Sequence, residues 1–211
     1  MIYLVAATAY HSARRFLDAT NEQLGLMMTP ASGRRFGLLE EFSRWAADTG
    51  CYSKPERFDL DGYLAWLSDL RPVAPRRLFA TAPDVWGNAS LTLERSMPVL
   101  PRIRDLGYRA ALVAQDGLAP DLVDWDAIDV LFVGGTDRWR RSAGLHALLD
   151  EARLRGKWTH LGRCNSRRRL IGASVIGYDS ADGTHVAHGP DKRMPEVLRW
   201  LAEVRCQPAL L

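Results

Sequence analysis

Two runs in the middle of the chain, Ala110-Ala111-Leu112-Val113-Ala114 and Val130-Leu131-Phe132-Val133, contain no polar residue at all. A strand with one wet face alternates polar and apolar side chains, whereas an unbroken apolar strand is covered on both faces, as in a parallel sheet flanked by helices. Further apolar runs lie at residues 2–7, just before Asp48, and at 77–82, 158–161 and 173–176, giving seven strand candidates. Stretches with helical spacing separate them: residues 61–67 carry apolar side chains at i, i+3 and i+4, and 90–106, 142–155 and 195–204 do likewise. Pro98 and Pro101 fall inside the second of these, which predicts a break near Met97. Alternating β and α elements imply a parallel sheet, either closed as a barrel or open and doubly wound. Seven strands favour the α/β class and a reduced TIM-like (β/α) barrel of seven to eight parallel strands, the eighth being very short or missing. Residues 26–35, rich in Met, Gly, Thr, Pro and Arg, read as a mobile loop.

With 211 residues, 47% of them hydrophobic, the chain fits one domain, expected over 1–205 with a peripheral tail at 206–211. Lys and Arg total 28 against 25 Asp and Glu, so any affinity for nucleic acid has to come from a local patch. Cys51, Cys164 and Cys206 are widely spaced and form no C-x-x-C pair, which argues against a disulfide framework or a cysteine-rich zinc site and makes a reducing cytoplasm the default. The apolar start, Met1 to Thr8, is too short for a signal peptide or a bilayer span and reads as a buried strand, so no membrane partner is expected.

The apolar runs end in short polar signatures: Asp48-Thr49-Gly50-Cys51-Tyr52, Pro83-Asp84-Val85-Trp86-Gly87, Gln115-Asp116-Gly117, Gly134-Gly135-Thr136-Asp137, and Tyr178-Asp179-Ser180-Ala181-Asp182-Gly183-Thr184. Each alone is ordinary turn and helix-cap chemistry. Five together, all expected at C-terminal strand ends, mark the rim on which a parallel barrel assembles its active site. No P-loop and no G-x-G-x-x-G spacing is present. His185-x-x-His188 lacks an adjacent Glu and reads as loop histidines rather than metal ligands. Met27-Met28 reads as core or loop packing. The run Arg163-Cys164-Asn165-Ser166-Arg167-Arg168-Arg169 is either a solvated charged face or a phosphate-binding segment beside the rim. Trp139-Arg140-Arg141 adds an aromatic platform and two cations to the second alternative.

Taken in order, DTGCY, PDVWG, VAQDG, VGGT and YDSADGT, with the run Gly156 to Arg163 between the last two, resemble the tRNA-guanine transglycosylase superfamily over roughly residues 45–201. The resemblance is greatest to its compact phage-borne members, described as queuine tRNA-ribosyltransferase-like or deazapurine-DNA transglycosylases. It implies a (β/α) barrel that exchanges guanine for a 7-deazaguanine derivative, with DNA as the favoured polymer, tRNA as the alternative, and the free 7-deazaguanine base as second substrate. By motif, it implies Asp182 as nucleophile with Asp179 as the alternate register, and Asp48 as general acid/base. Asp84, Gln115, Gly134 and Gly135 would read the base. The basic segments would place Arg163, Asn165, Arg167, Arg168, Arg140 and Trp139 on the nucleic acid. The tRNA enzymes carry a cysteine-rich zinc subdomain that has no counterpart cluster here, so no zinc and no other cofactor is expected. A host cytoplasm follows if the gene is phage-borne, and a partner protein is an open question.

The chemistry has its own logic. Displacing a base from C1′ passes through an oxocarbenium-like transition state that a carboxylate on the opposite face stabilises or traps, while a second carboxylate handles the proton of the leaving base. The guanine edge offers N1–H and N2–H donors beside the O6 acceptor, suited to a carboxylate and an amide respectively. Water in place of the incoming base would make the protein a base glycosylase, and loss of catalysis would leave a DNA-binding barrel.

Overall fold

The structure, a computed structural model, describes residues 1–15, 23–34, 36–42, 44–51, 58–71 and 77–206. Eight strands pair in parallel and in chain order, and the last returns to the first, so the barrel is closed. They are β1 (Ile2–Ala6), β2 (Leu24–Met28), β3 (Trp45–Ala47), β4 (Arg77–Thr81), β5 (Ala110–Ala114), β6 (Val130–Val133), β7 (Trp158–Leu161) and β8 (Ser180–Gly183). Closure leaves none of them with an unpaired edge. The described helices are α1 (Tyr10–Arg14), α2 (Phe36–Glu41), α3 (Leu60–Leu70), α4 (Ala89–Ser96), α5 (Leu100–Asp105), α6 (Ala143–Leu154), α7 (Arg167–Ile176) and α8 (Pro190–Cys206). Side-chain N-caps start three of them: Asn88, Ser142 and Ser166 accept from the backbone N–H three residues on. The break expected near Met97 separates α4 from α5.

Two strands lie where the sequence points elsewhere. Residues 26–35 do not form a loop throughout: their first three belong to β2, whose five residues are all buried, with Met27 and Met28 in the core. Leu-Gly-Leu-Met-Met has no β-branched residue, and its glycine is required by packing, since a Cβ on Gly25 would lie 2.7 Å from both the Arg44 carbonyl oxygen and Leu4 Cδ2. Residues 173–176 are not a strand but the last turn of α7, closed by Gly177 in the left-handed conformation. There Val175 and Ile176 are exposed, and their β-branched character misleads. The eighth strand is Ser180–Gly183, held by β1 and β7 through backbone pairing. Cys206 ends α8, and the remainder of the expected tail, like Tyr52 of the first signature, lies outside the described residues.

Strand alternation divides the core in two. Tyr3, Val5, Leu26, Met28, Leu112 and Leu131 belong to the large cluster shared with helix residues such as Leu67, Leu100 and Leu148. Ile2, Leu4, Met27, Ala46, Phe79, Ala111 and Val130, with Phe132 and Trp158 against them, form a separate cluster that fills the barrel lumen. Continuing the inward series in steps of two leads from Ala46 to Asp48, from Phe79 to Thr81, from Ala111 to Gln115, from Phe132 to Gly134 and from Ser180 to Asp182. The apolar lumen therefore gives way to a polar layer at the C-terminal mouth.

Candidate active site

A cleft of about 310 Å³ opens in that mouth, with Phe132 and Val113 among its apolar lining and Asp48, Asp84 and Asp182 around it. Gln115, Gly134, Gly135, Arg140, Arg163, Asn165 and Trp86 also line it.

Asp48 follows β3. Thr81 Oγ1 accepts the Thr49 N–H at 3.1 Å, which directs its own proton to Asp48 Oδ1 at 3.0 Å. Burial, with the charges of Asp84 and Asp182 added, pushes the Asp48 carboxyl up to about 7, against partial relief from the Thr81 hydroxyl and the Gly50 backbone. Asp84 is also raised by burial, which outweighs the hydrogen bonds from Cys51 and Gln115 and the positive charge of Arg163. The Cys51 thiol lies 3.2 Å from Asp84 Oδ1 and is pushed up to about 12 by burial and by that carboxylate, so it serves as a donor and not as a thiolate nucleophile.

Gln115 is fixed end to end. Its Oε1 accepts the N–H groups of Gly87 and Gly135, each at 2.9 Å, and its Nε2 donates to Asp84 Oδ2 at 2.5 Å. The Gly134 N–H donates to the Ala114 carbonyl at 3.0 Å. Both glycine N–H groups are thus engaged inside the protein. What the pair contributes is an open wall: a Cβ on Gly134 would sit 2.7 Å from Gln115 Nε2.

Asp182, inward on β8, receives a histidine to which the sequence motifs assign no role. His160 Nε2 is 3.0 Å from Asp182 Oδ1, and His160 Nδ1 is 2.8 Å from Ser180 Oγ. The signal available was position: His160 is two residues beyond Trp158 on β7 and so shares its inward face. Asp179 is elsewhere. It precedes β8 at the opposite end of the barrel, where its Oδ2 accepts the Thr159 N–H at 2.7 Å and the Thr159 hydroxyl at 3.1 Å. That placement corrects the alternate register; Asp182 is the carboxylate in the cleft.

The basic segment divides. Arg163 lines the cleft and donates to the Gly135 carbonyl, while Arg140 donates to the carbonyl oxygens of Gly134 at 2.6 Å and Val133 at 3.3 Å. Burial and the neighbouring charges of Arg163 and Arg169 push Arg140 down to about 10. Asn165 Oδ1 accepts the Thr184 and His185 N–H groups at 2.7 and 3.1 Å, leaving its amino end to the cleft. Arg167 and Arg168 lie apart from the other two: both are exposed on the first turn of α7, outside the cleft lining, and Arg167 pairs with Glu203. Trp139 packs against the core beside Gly135, and the exposed aromatic residue at the cleft is Trp86, 52% exposed. His185 pairs with Glu196 at 2.9 Å and lies against Trp200. Among the described residues, no group of three or more His, Cys, Asp or Glu could hold a metal ion, and no helix is long and apolar enough to cross a membrane.

No protein-family model and no curated protein matches the chain. Solved structures do. A chain of tryptophan synthase from M. tuberculosis is 10% identical with a TM-score of 0.58, over 96% of this chain and 88% of that one. A mandelate oxidase variant is 12% identical with a TM-score of 0.63, over 93% of this chain and 68% of that one. At such identities the likeness concerns the fold alone: the chain is a closed, eight-stranded (β/α) barrel of the TIM type.

Proposed function

We propose that the protein exchanges bases in nucleic acid, replacing guanine with a 7-deazaguanine derivative, with DNA as the polymer. The observation that carries the reading is the placing of two carboxyl groups in unlike surroundings around one cleft: Asp48 is buried and its carboxyl is pushed up to about 7, while Asp182 Oδ1 lies 3.0 Å from the His160 Nε2 atom. Two carboxyl groups whose environments differ in this way divide into an acid and a nucleophile. Asp182 attacks C1′ as the bond from C1′ to the base breaks; the electron pair passes to the base, and Asp48 supplies its proton. In the return half, the incoming base attacks C1′ and gives its proton to Asp48, and Asp182 leaves as a carboxylate. Asp84 remains the group suited to the N1–H and N2–H edge, with the second Nε2 proton of Gln115 available to O6. A cleft of about 310 Å³ suits one extruded nucleoside, and exposed Trp86 with Arg140 and Arg163 suits a flanking base and phosphates.

The test is nucleoside mass spectrometry after incubating the purified chain with DNA or tRNA and a panel of free 7-deazaguanines. A modified deoxynucleoside that disappears in Asp182→Ala is the expected result. A modified ribonucleoside moves the reading to tRNA, release of guanine without incorporation moves it to a glycosylase, and no product from either polymer overturns it.

A further inference from the structure

We infer that His160, Ser180 and Trp158 form a hydrogen-bonded relay through the barrel lumen that holds Asp182 as an oriented carboxylate. His160 is the positioning residue. Calling Asp182 a nucleophile rests on the base-exchange reading; the relay itself rests on the geometry.

The relay occupies successive inward positions of two adjacent strands, Trp158 and His160 on β7 and Ser180 and Asp182 on β8. Trp158 Nε1 donates to Ser180 Oγ at 2.8 Å, Ser180 Oγ lies 2.8 Å from His160 Nδ1, and His160 Nε2 lies 3.0 Å from Asp182 Oδ1. An indole N–H can only donate, so the Ser180 oxygen is an acceptor toward Trp158 and its own proton is directed to His160 Nδ1. A neutral imidazole that accepts at Nδ1 carries its proton on Nε2, which then points at the carboxylate. A ring protonated on both nitrogens would turn the Ser180 hydroxyl proton away from both neighbours.

Packing does not require this seam. The rest of the lumen is apolar, and His160 and Ser180 are both fully buried. Phe79 meets the imidazole edge-on at 5.0 Å and Phe132 lies against it at 4.5 Å, so the ring cannot tilt to release Asp182. A buried polar chain set among aromatic rings enforces one arrangement. With Oδ1 held by Nε2–H, Asp182 Oδ2 is the atom left to bond C1′. In the resulting glycosyl ester Oδ1 becomes the carbonyl oxygen and keeps its donor. When the C1′–Oδ2 bond breaks, the electron pair returns to a carboxylate that is already hydrogen-bonded.

The experiment joins 15N NMR of the histidine-labelled full chain with kinetics. His160 is expected to show a protonated Nε2 and an acceptor Nδ1, and Ser180→Ala is expected to mix the two tautomers. His160→Met fills the space without a donor and should lower kcat about 100-fold with KM within about twofold, as for a misplaced reacting group. His160→Gln restores an N–H near the Nε2 position and should recover most of that loss, which a merely structural role would not predict. A proton on Nδ1 in the wild-type chain, or a folded His160→Met with unchanged kcat, overturns the relay. A wild-type chain with the Nε2 tautomer and no base exchange supports the relay and overturns the reaction instead.

Discussion

Gln115 clamps Asp84 with its amide nitrogen while its oxygen gathers the N–H groups of Gly87 and Gly135, so one side chain ties the loops after β4, β5 and β6 together. Gln115→Glu keeps the shape and an oxygen for the two backbone donors but sets a second carboxyl group against Asp84. The expected result is a fall in unfolding free energy of about 1–3 kcal/mol, the cost of leaving a buried polar group without its partner, with binding of the free base weakened as well. Urea unfolding and calorimetric titration check it.

Asp48 makes stability depend on pH in a stated direction. Its carboxyl rises from 3.8 to about 7 on folding, so between those values the folded chain binds the extra proton. The contribution is fully present below about pH 4 and is lost as pH rises through about 7. Asp48→Asn should flatten that slope and leave the variant more stable than wild type at pH 8 by on the order of 1–3 kcal/mol, since a tenfold change in proton affinity corresponds to about 1.36 kcal/mol and neighbouring carboxyls titrate together. Denaturation midpoints across that range measure it.

The same proton sets a limit on the reaction. With Asp48 as the acid toward the leaving base, single-turnover release of guanine should decline as pH rises past about 7, and Asp48→Asn should lose activity at every pH instead of displacing the profile. A wild-type rate that keeps climbing beyond that point would remove Asp48 from the acid role.

Gly135 is confined by its surroundings. Its φ is +65°, and a Cβ there would fall 2.5 Å from Trp139 Cε3. Gly135→Ala should destabilise the chain by about 1–3 kcal/mol through backbone strain and overpacking together. Gly156→Ala is the control, because its φ is +64° with nothing within 4 Å; its loss should be the smaller of the two. Thermal unfolding of the pair separates strain from collision.

The arginines should separate by position. Arg140→Ala and Arg163→Ala are expected to weaken binding of single-stranded DNA and to reduce the salt slope by about 0.7 for each phosphate that is no longer neutralised. Arg168→Ala, away from the cleft, should leave both unchanged. Fluorescence anisotropy over a salt series reads the difference.

The strand order from β3 to β7 and the polar rim were legible because both follow from a period of two: unbroken apolar runs must be covered on both faces, and the inward series reaches Asp48, Gln115 and Gly134 where those runs end. β2 and β8 were not legible. Leu-Gly-Leu-Met-Met and Ser-Ala-Asp-Gly have little strand preference of their own, and they are strands because β1, β3 and β7 present open backbone to them. That displacement had a chemical consequence. With the last strand placed at 173–176, Asp179 and Asp182 both fall beyond its end and look equivalent; with the strand at Ser180–Gly183, they stand at opposite ends of the barrel. Local sequence dictated which residues are apolar and where polar groups begin. Which carboxylate meets His160, and which shares the cleft with Asp48, depended on closing eight strands into one ring, because those placements bring together residues far apart in the chain.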